Sequence, residues 1–320
     1  MFRFKKIILS SVIALSALTL AACSSNSEDS GSVRVGIIQY AEHEALTSAR
    51  EGFIEALEDA GYKEGENLTI DLQNSQGDQA NLQTMVGQLA GKNDLNFAIA
   101  TPAAQALLNA DGETPSVFTA VTDPVEAGLV ESLDAPGGSM TGSTDATDVE
   151  GQIDMLLKVV PSAKTVGIFY NSSEVNSEVQ ADQAKQALEA KGVKVEVATV
   201  TSTNDVQQTM TSLAAKVDAI YLPTDNTVAS TASTIGEILQ EAKVPAMGSD
   251  AAVIDATLFT YGVDYHAIGV QAGELAVKIL KGDKPADLTV EKPNTAAVTV
   301  NEEMATALGF DAETIKALEK

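Results

Sequence analysis

The chain has 320 residues, with 45 Asp+Glu against 20 Lys+Arg for a formal net charge of −25, two His, one Cys and no Trp. That length suits two α/β domains of roughly 150 residues each. So acidic a chain repels phosphate backbones, whose nonspecific partners neutralise them with Lys and Arg, and this excludes nucleic acid as a partner.

The N-terminus carries Arg3, Lys5 and Lys6 ahead of an apolar run from Ile7 to Ala22. A basic start followed by an apolar run shorter than the ~20 residues that span a bilayer describes an export signal. The run ends in Leu20-Ala21-Ala22-Cys23, which resembles the bacterial lipobox, where the signal is cut before the cysteine and the cysteine carries lipid. Residues 1–22 are therefore read as a signal peptide, Cys23 as the lipidation site and 23–32 as a tether too polar to pack. Cutting there removes three positive charges and no acid, so the exported chain is more acidic still. With Cys23 committed, no cysteine remains for an intramolecular disulfide.

Two later segments open alike, Val33-Arg-Val-Gly-Ile-Ile-Gln-Tyr40 and Lys164-Thr-Val-Gly-Ile-Phe-Tyr-Asn171. Each is a short β-branched run ending in polar residues, the pattern of a buried parallel strand and its following loop. A helical pattern follows in both, marked by Phe53, Ile54 and Leu57 before Gly61 and by Ala184, Ala187 and Leu188 before Gly192, with glycine supplying the C-cap. Gly36 and Gly167, Ala56-Leu57-Glu58 and Ala187-Leu188-Glu189, and Gly61 and Gly192 keep one constant offset, which points to duplication. Leu95–Thr101 then parallels Val217–Thr224, and Thr114–Phe118 parallels Val244–Met247. Each half thus reads β-α-β-α-β-α-β, so the expected class is α/β, with two doubly wound parallel-sheet lobes.

After Asp250 the chain continues with a strand at Leu258–Val263, a helix from about His266 to Leu280, strands at Asp287–Val290 and Ala296–Val300, and a short helix at Glu302–Leu308. One further β-α-β after two complete halves implies that the chain crosses back between lobes, making hinge strands. The expected boundaries are 33–145 plus 263–289 for the N-terminal lobe and 146–262 plus 290–320 for the C-terminal lobe.

No enzyme motif is present: there is no G-x-x-x-x-G-K phosphate loop, G-x-G-x-x-G turn, G-x-S-x-G elbow or H-E-x-x-H helix. His43 and His266 stand at a loop and a helix start, where caps or surface residues are the ordinary reading, and neither a metal nor a cofactor is expected.

In open α/β sheets ligands bind beyond the carboxyl ends of the strands, so the residues just after each strand carry the functional argument. In the first half these are Gln39 and Tyr40, Thr101 and Ala103, then Phe118, Thr122 and Asp123. In the second they are Asn171, Ser173 and Asn176, then Thr224, Asp225 and Asn226, and Ser249 and Asp250. Helix starts such as Thr101-Pro102 offer free amides to a carboxylate. An acid at an equivalent strand end, Asp225 or Asp250, meets an ammonium. A carboxylate on one lobe and an ammonium on the other is what an amino acid requires. On this reading Thr101, Ala103 and Thr122 take the carboxylate, Asn171 and Asn176 add cleft hydrogen bonds, and Tyr40 and Phe118 pack on the side chain or serve as ordinary packing.

The string Asp123-Pro-Val-Glu-Ala-Gly-Leu-Val-Glu-Ser-Leu-Asp-Ala-Pro-Gly-Gly-Ser-Met-Thr-Gly142 resembles the central signature of bacterial ABC-transporter substrate-binding lipoproteins of the tryptophan/tyrosine-binding type. Gly36–Leu46, Tyr170–Ser177, Tyr261–Gly269 and Gly273–Gly282 are similar to the same family. The resemblance implies a type I periplasmic-binding-protein fold with the ligand between two lobes. It also implies a non-enzymatic function, the capture of an amino acid, an aromatic one, for delivery to a membrane permease with a separate ATPase. Such a protein is a monomer held on the extracytoplasmic face of the cell membrane, here through the Cys23 lipid. A binding lipoprotein for a sugar, nucleoside or peptide, or a ligand sensor, is the alternative on the same fold. The low aromatic content, 4%, disfavours a sugar, and a lipid-anchored enzyme or adhesin is the remaining reading.

Overall fold

The computed structural model describes residues 32–319; the signal peptide at 1–22 and Cys23 lie outside the described residues. Strands β1 (Val33–Gln39), β2 (Leu68–Asn74), β3 (Leu95–Ile99), β4 (Ser116–Val121) and β5 (Met140–Thr144) form a parallel sheet in the order β2-β1-β3-β4-β5. Helices α1 (Glu44–Asp59), α2 (Gln79–Leu89) and α3 (Thr101–Ala110) connect the first four strands. Because helices cover both faces, the central strands are apolar on both sides: Val35, Ile37 and Ile38 of β1 and Phe97, Ala98 and Ile99 of β3 are fully buried.

The second sheet takes up after α4 (Val149–Val159), with β6 (Thr165–Asn171), α5 (Val175–Ala190), β7 (Lys194–Val200), α6 (Val206–Ala214) and β8 (Ala219–Leu222). It continues through α7 (Asn226–Ser230), α8 (Ala232–Ala242), β9 (Ala246–Gly248) and β10 (Phe259–Val263). After α9 (Tyr265–Leu280), β11 (Ala296–Val300) completes the order β11-β10-β9-β8-β6-β7, parallel except for the β10–β11 pair. Two short helices, α10 (Glu302–Leu308) and α11 (Ala312–Lys316), follow, the second not anticipated from the sequence. The internal repeat is visible in the elements: β1 and β6 have seven residues each, and α1 and α5 sixteen each.

Three segments carry the chain from one sheet to the other. Past β5 it enters α4, which buries Ile153 and Leu156 in the second core, and past β10 it returns through α9 to the first. The expected strand at Asp287–Val290 is instead a 3₁₀ turn at Pro285–Asp287 and an extended stretch joined to β5 by one bridge, Ser143 to Glu291. Proline has no N–H to give a ladder, and the Leu288 carbonyl accepts from the Thr141 hydroxyl at 2.7 Å instead of from a strand.

Helix α9 lies against α1 so closely that the contact depends on glycine. A Cβ on Gly273 would stand 2.6 Å from that of Ala56 and 2.7 Å from the Phe53 carbonyl oxygen, and one on Gly269 would collide with the Ala49 carbonyl. This fixes the start of α9, and with it Tyr265, relative to the end of β1.

Candidate functional site

The C-terminal ends of the strands from both sheets converge on one narrow space. The space is tight, its interior wide enough for only about one water. The first lobe and the α9 start contribute His43, Leu46, Ala120, Asp145 and Tyr265; the second contributes Asn176, Thr224, Asp225, Asn226, Ala229 and Asp250. Each follows a strand by a few residues or opens the next helix, which is where open α/β sheets bind ligands.

Local backbone geometry in the first lobe is unusual at this point. Ala100 and Ala120, at the ends of β3 and β4, have φ of 83° and 55°, a region that costs a non-glycine residue about 1–3 kcal/mol and clusters at binding sites. Past these alanines the hydroxyls of Thr101 and Thr122 are buried without a hydrogen-bond partner, as is that of Thr144 at the end of β5.

Four acids sit at or beside the space. Asp145 is buried; its Oδ2 accepts from the Tyr265 hydroxyl at 3.1 Å and its Oδ1 has no partner. Burial pushes its carboxyl above the usual range, against the pull of the polar groups around it. Asp250 accepts from the Ala252 N–H at 2.6 Å, and burial, reinforced by the charges of Asp145 and Asp225, raises it to about 7. No Lys or Arg side chain lines the space.

The other two acids build the second lobe. Asp225 accepts from the Val228 N–H at 2.8 Å, capping α7, and from the Asn171 N–H at 2.7 Å, tying β6 to it. Glu174 accepts from the backbone N–H groups of Asn226 and Thr227, at 3.1 and 3.2 Å, and from both of their side chains. Burial and the nearby Asp225 raise the Glu174 carboxyl. Asp225 therefore faces the space with one backbone N–H already on each oxygen, so that it also holds the second lobe together. Asp250 keeps one oxygen without a protein hydrogen bond.

Of the other expected residues, Asn176, Thr224 and Asn226 line the inner space; the Asn176 amide donates to the Thr224 carbonyl at 2.9 Å and leaves its Oδ1 buried and unpartnered. Tyr40, Asn171 and Ser173 line an outer opening of about 440 Å³ that shares Asn226 as a wall. Ala103 is buried in α3, and Ser249 is buried beneath Thr224 and Gln152, holding the loop after β9. Three of the expected residues serve the packing and loops of the lobe. Phe118 is a core residue, its ring against Gly142 of β5, because β4 lies between two strands with its apolar side chains covered. Asp123 caps its own loop through the Val125 and Glu126 N–H groups. Gln39 anchors the loop after β1, its amide donating to the Ala41 carbonyl and its oxygen accepting from Arg50.

Strand-end reasoning missed Asp145 and Tyr265 and set aside His43 as a cap or surface residue. His43 bridges the lobes, its Nε2 lying 3.2 Å from Asn226 Oδ1, while its Nδ1 is buried without a partner. Burial lowers its basicity, so the ring is neutral near pH 7.

Residues 34–315 match the family model described as ABC transporter substrate binding protein. A tyrosine-binding protein of Clostridioides difficile is 37% identical, over 96% of this chain and 93% of its own. A Streptococcus pneumonia protein solved in complex with L-Trp superposes with a TM-score of 0.86 at 37% identity, over 90% of this chain and 99% of its own. The ligand-free, open structure of a substrate binding protein with adhesive properties from Clostridium difficile is 41% identical, covering 87% and 95%, yet its TM-score is 0.67. Agreement is better with the complex than with the more similar sequence, so the two lobes here stand closed, as the His43–Asn226 contact across the cleft requires. The fold is the one the resemblance implied, that of type I periplasmic binding proteins, and the chain belongs to the ABC transporter substrate binding protein family, whose members bind and deliver rather than catalyse.

Proposed function

We propose that the cleft captures an aromatic L-amino acid and hands it to the permease of an ABC importer. The observation that carries this reading is the Asp145–Asp250 pair in a cation-free, narrow cleft, with one Asp145 oxygen buried and unpartnered. Leaving a buried carboxylate unsatisfied costs several kcal/mol, an expense a ligand ammonium would offset with charge-assisted hydrogen bonds. The hydroxyls of Thr101 and Thr122, with the amides at the start of α3, take the ligand carboxylate. The relatives that bind tyrosine and L-Trp support the same class.

Lobe closure on the ligand shifts the population of a state that the permease reads; no bond is made or broken. Residues 1–22 direct export and Cys23 carries the lipid that holds the monomer on the outer face of the cell membrane. Among the described residues no helix is long and apolar enough to cross a membrane.

Calorimetric titration of the twenty amino acids tests the ligand class. Heat is expected with tyrosine, tryptophan or both, and silence with all twenty would overturn the reading. Because the chain has six Tyr and no Trp, energy transfer from its tyrosines to bound tryptophan gives a second readout against a dark background.

A further inference from the structure

His43 stands at the head of α1 and is the second lobe's hydrogen-bonded partner across the cleft. Its Nε2 meets Asn226 Oδ1 at 3.2 Å. The orientation of that amide is set from the other side, where Asn226 Nδ2 donates to Glu174 Oε2 at 2.6 Å. Glu174 is in turn held as an acceptor by the backbone N–H groups of Asn226 and Thr227, one on each oxygen. With the amide nitrogen turned to Glu174, its oxygen faces the imidazole, so His43 Nε2 carries the proton. A neutral imidazole has one N–H, which leaves Nδ1 a bare acceptor, buried and without a partner in the wall of the ligand space.

This acceptor is separate from the acidic end. Asp145 acts on Asp250 and both act on Tyr265, whereas His43 is bonded to Asn226 of the second lobe and has Glu42 as its charged neighbour. Two recognition points of opposite demand thus share one narrow space, an acid pair and a lone imidazole acceptor.

We infer that the Glu174–Asn226–His43 chain fixes a specificity-determining acceptor, His43 Nδ1, that reads a hydrogen-bond donor on the edge of the ligand's ring. A phenol O–H or an indole N–H satisfies it; a phenyl ring leaves it unpaired, as does a ring whose donor is methylated. A buried acceptor left unpaired is penalised more than a satisfied one is rewarded, so discrimination arises mainly by rejection. The inference rests on the aromatic amino-acid reading above and narrows it.

The test combines nitrogen-15 NMR of the histidines with titrations of L-tyrosine, L-tryptophan, L-phenylalanine, O-methyl-L-tyrosine and 1-methyl-L-tryptophan. With only two histidines in the chain, the spectrum is readily assigned using His266→Gln. The expected result is the Nε2–H tautomer at His43, with the Nδ1 resonance shifting when tyrosine or tryptophan binds. Phenylalanine should bind about tenfold or more weakly than tyrosine and tryptophan, and each methylated analogue than its parent, a margin that His43→Leu should remove whatever it does to the affinity for all of them together. An Nδ1–H tautomer, equal binding of tyrosine, tryptophan and phenylalanine, or a uniform loss in His43→Leu overturns this inference and leaves the amino-acid reading standing. No binding by any aromatic amino acid overturns both.

Discussion

The two lobes come from one plan but use their strand-end acids differently. In the second lobe Asp225 follows β8 and is saturated: Val228 and Asn171 N–H groups occupy its two oxygens, and neighbouring Glu174 collects four donors. In the first lobe Asp145 follows β5 with one oxygen on Tyr265 and the other on nothing. One acid holds a lobe together; the other stays available for a ligand. Burial alone does not tell the two apart, because both are buried, and only the count of donors does.

The largest expected effect tests the scaffold side of this contrast. Asp225→Ala strands two buried backbone N–H groups, and at about 1–3 kcal/mol for each it should lower the melting temperature by several degrees, read by calorimetry. Asp145→Asn should do the reverse. Stability should hold or rise, because a buried unpaired carboxyl becomes neutral, while affinity for the amino acid falls by about 1.5–3 kcal/mol, the worth of a charge-assisted hydrogen bond. A melting temperature that drops in both variants by the same amount would erase the distinction.

A smaller effect follows from protonation. In the closed lobes Asp250 sits at about 7, raised by burial and then by Asp145 and Asp225. Because closure raises this carboxyl, closure without an ammonium weakens as pH rises from the ordinary carboxylate range towards 7 and weakens no further above it. A ligand ammonium instead favours the ionised form, so binding expels a proton. Affinity should therefore strengthen as pH rises towards 7, by up to about tenfold per unit where one proton is exchanged, and level off above it. Calorimetry at pH 7 in two buffers of different ionisation enthalpy should report net proton release; uptake would contradict the sign.

The smallest effect concerns the α1–α9 contact that places Tyr265. Gly273→Ala puts a methyl against Ala56 and the Phe53 carbonyl. It should cost about 1–3 kcal/mol of stability with a smaller change in affinity, measured by denaturant titration and by ligand titration.

Both sheets were legible because their central strands are unbroken β-branched runs, and the strand-end rule then located Asn176, Thr224, Asn226 and Asp250. Asp145 was not, since β5 reads Met140-Thr-Gly-Ser-Thr144, small and polar; its burial comes from lying between β4 and the returning segment at Glu291 rather than from its own hydropathy. His43 gave no local signal because the group that defines its role, Asn226, is 183 positions away. The structural duty of Asp225 was hidden for the same reason: the Asn171 N–H that it accepts belongs to another strand, 54 positions earlier. Local pattern identifies where acids stand, while tertiary pairing decides which of them remain free.

The central claim is that Asp145, with Asp250, receives an ammonium. Its most direct test is a double comparison by calorimetry: L-tyrosine against its deaminated propionate, in the parent protein and in Asp145→Asn. The account predicts that removing the amine weakens binding to the parent by about tenfold or more, and that this difference shrinks sharply in the variant. Equal loss of affinity for both ligands in Asp145→Asn, with the amine's contribution undiminished, would contradict it.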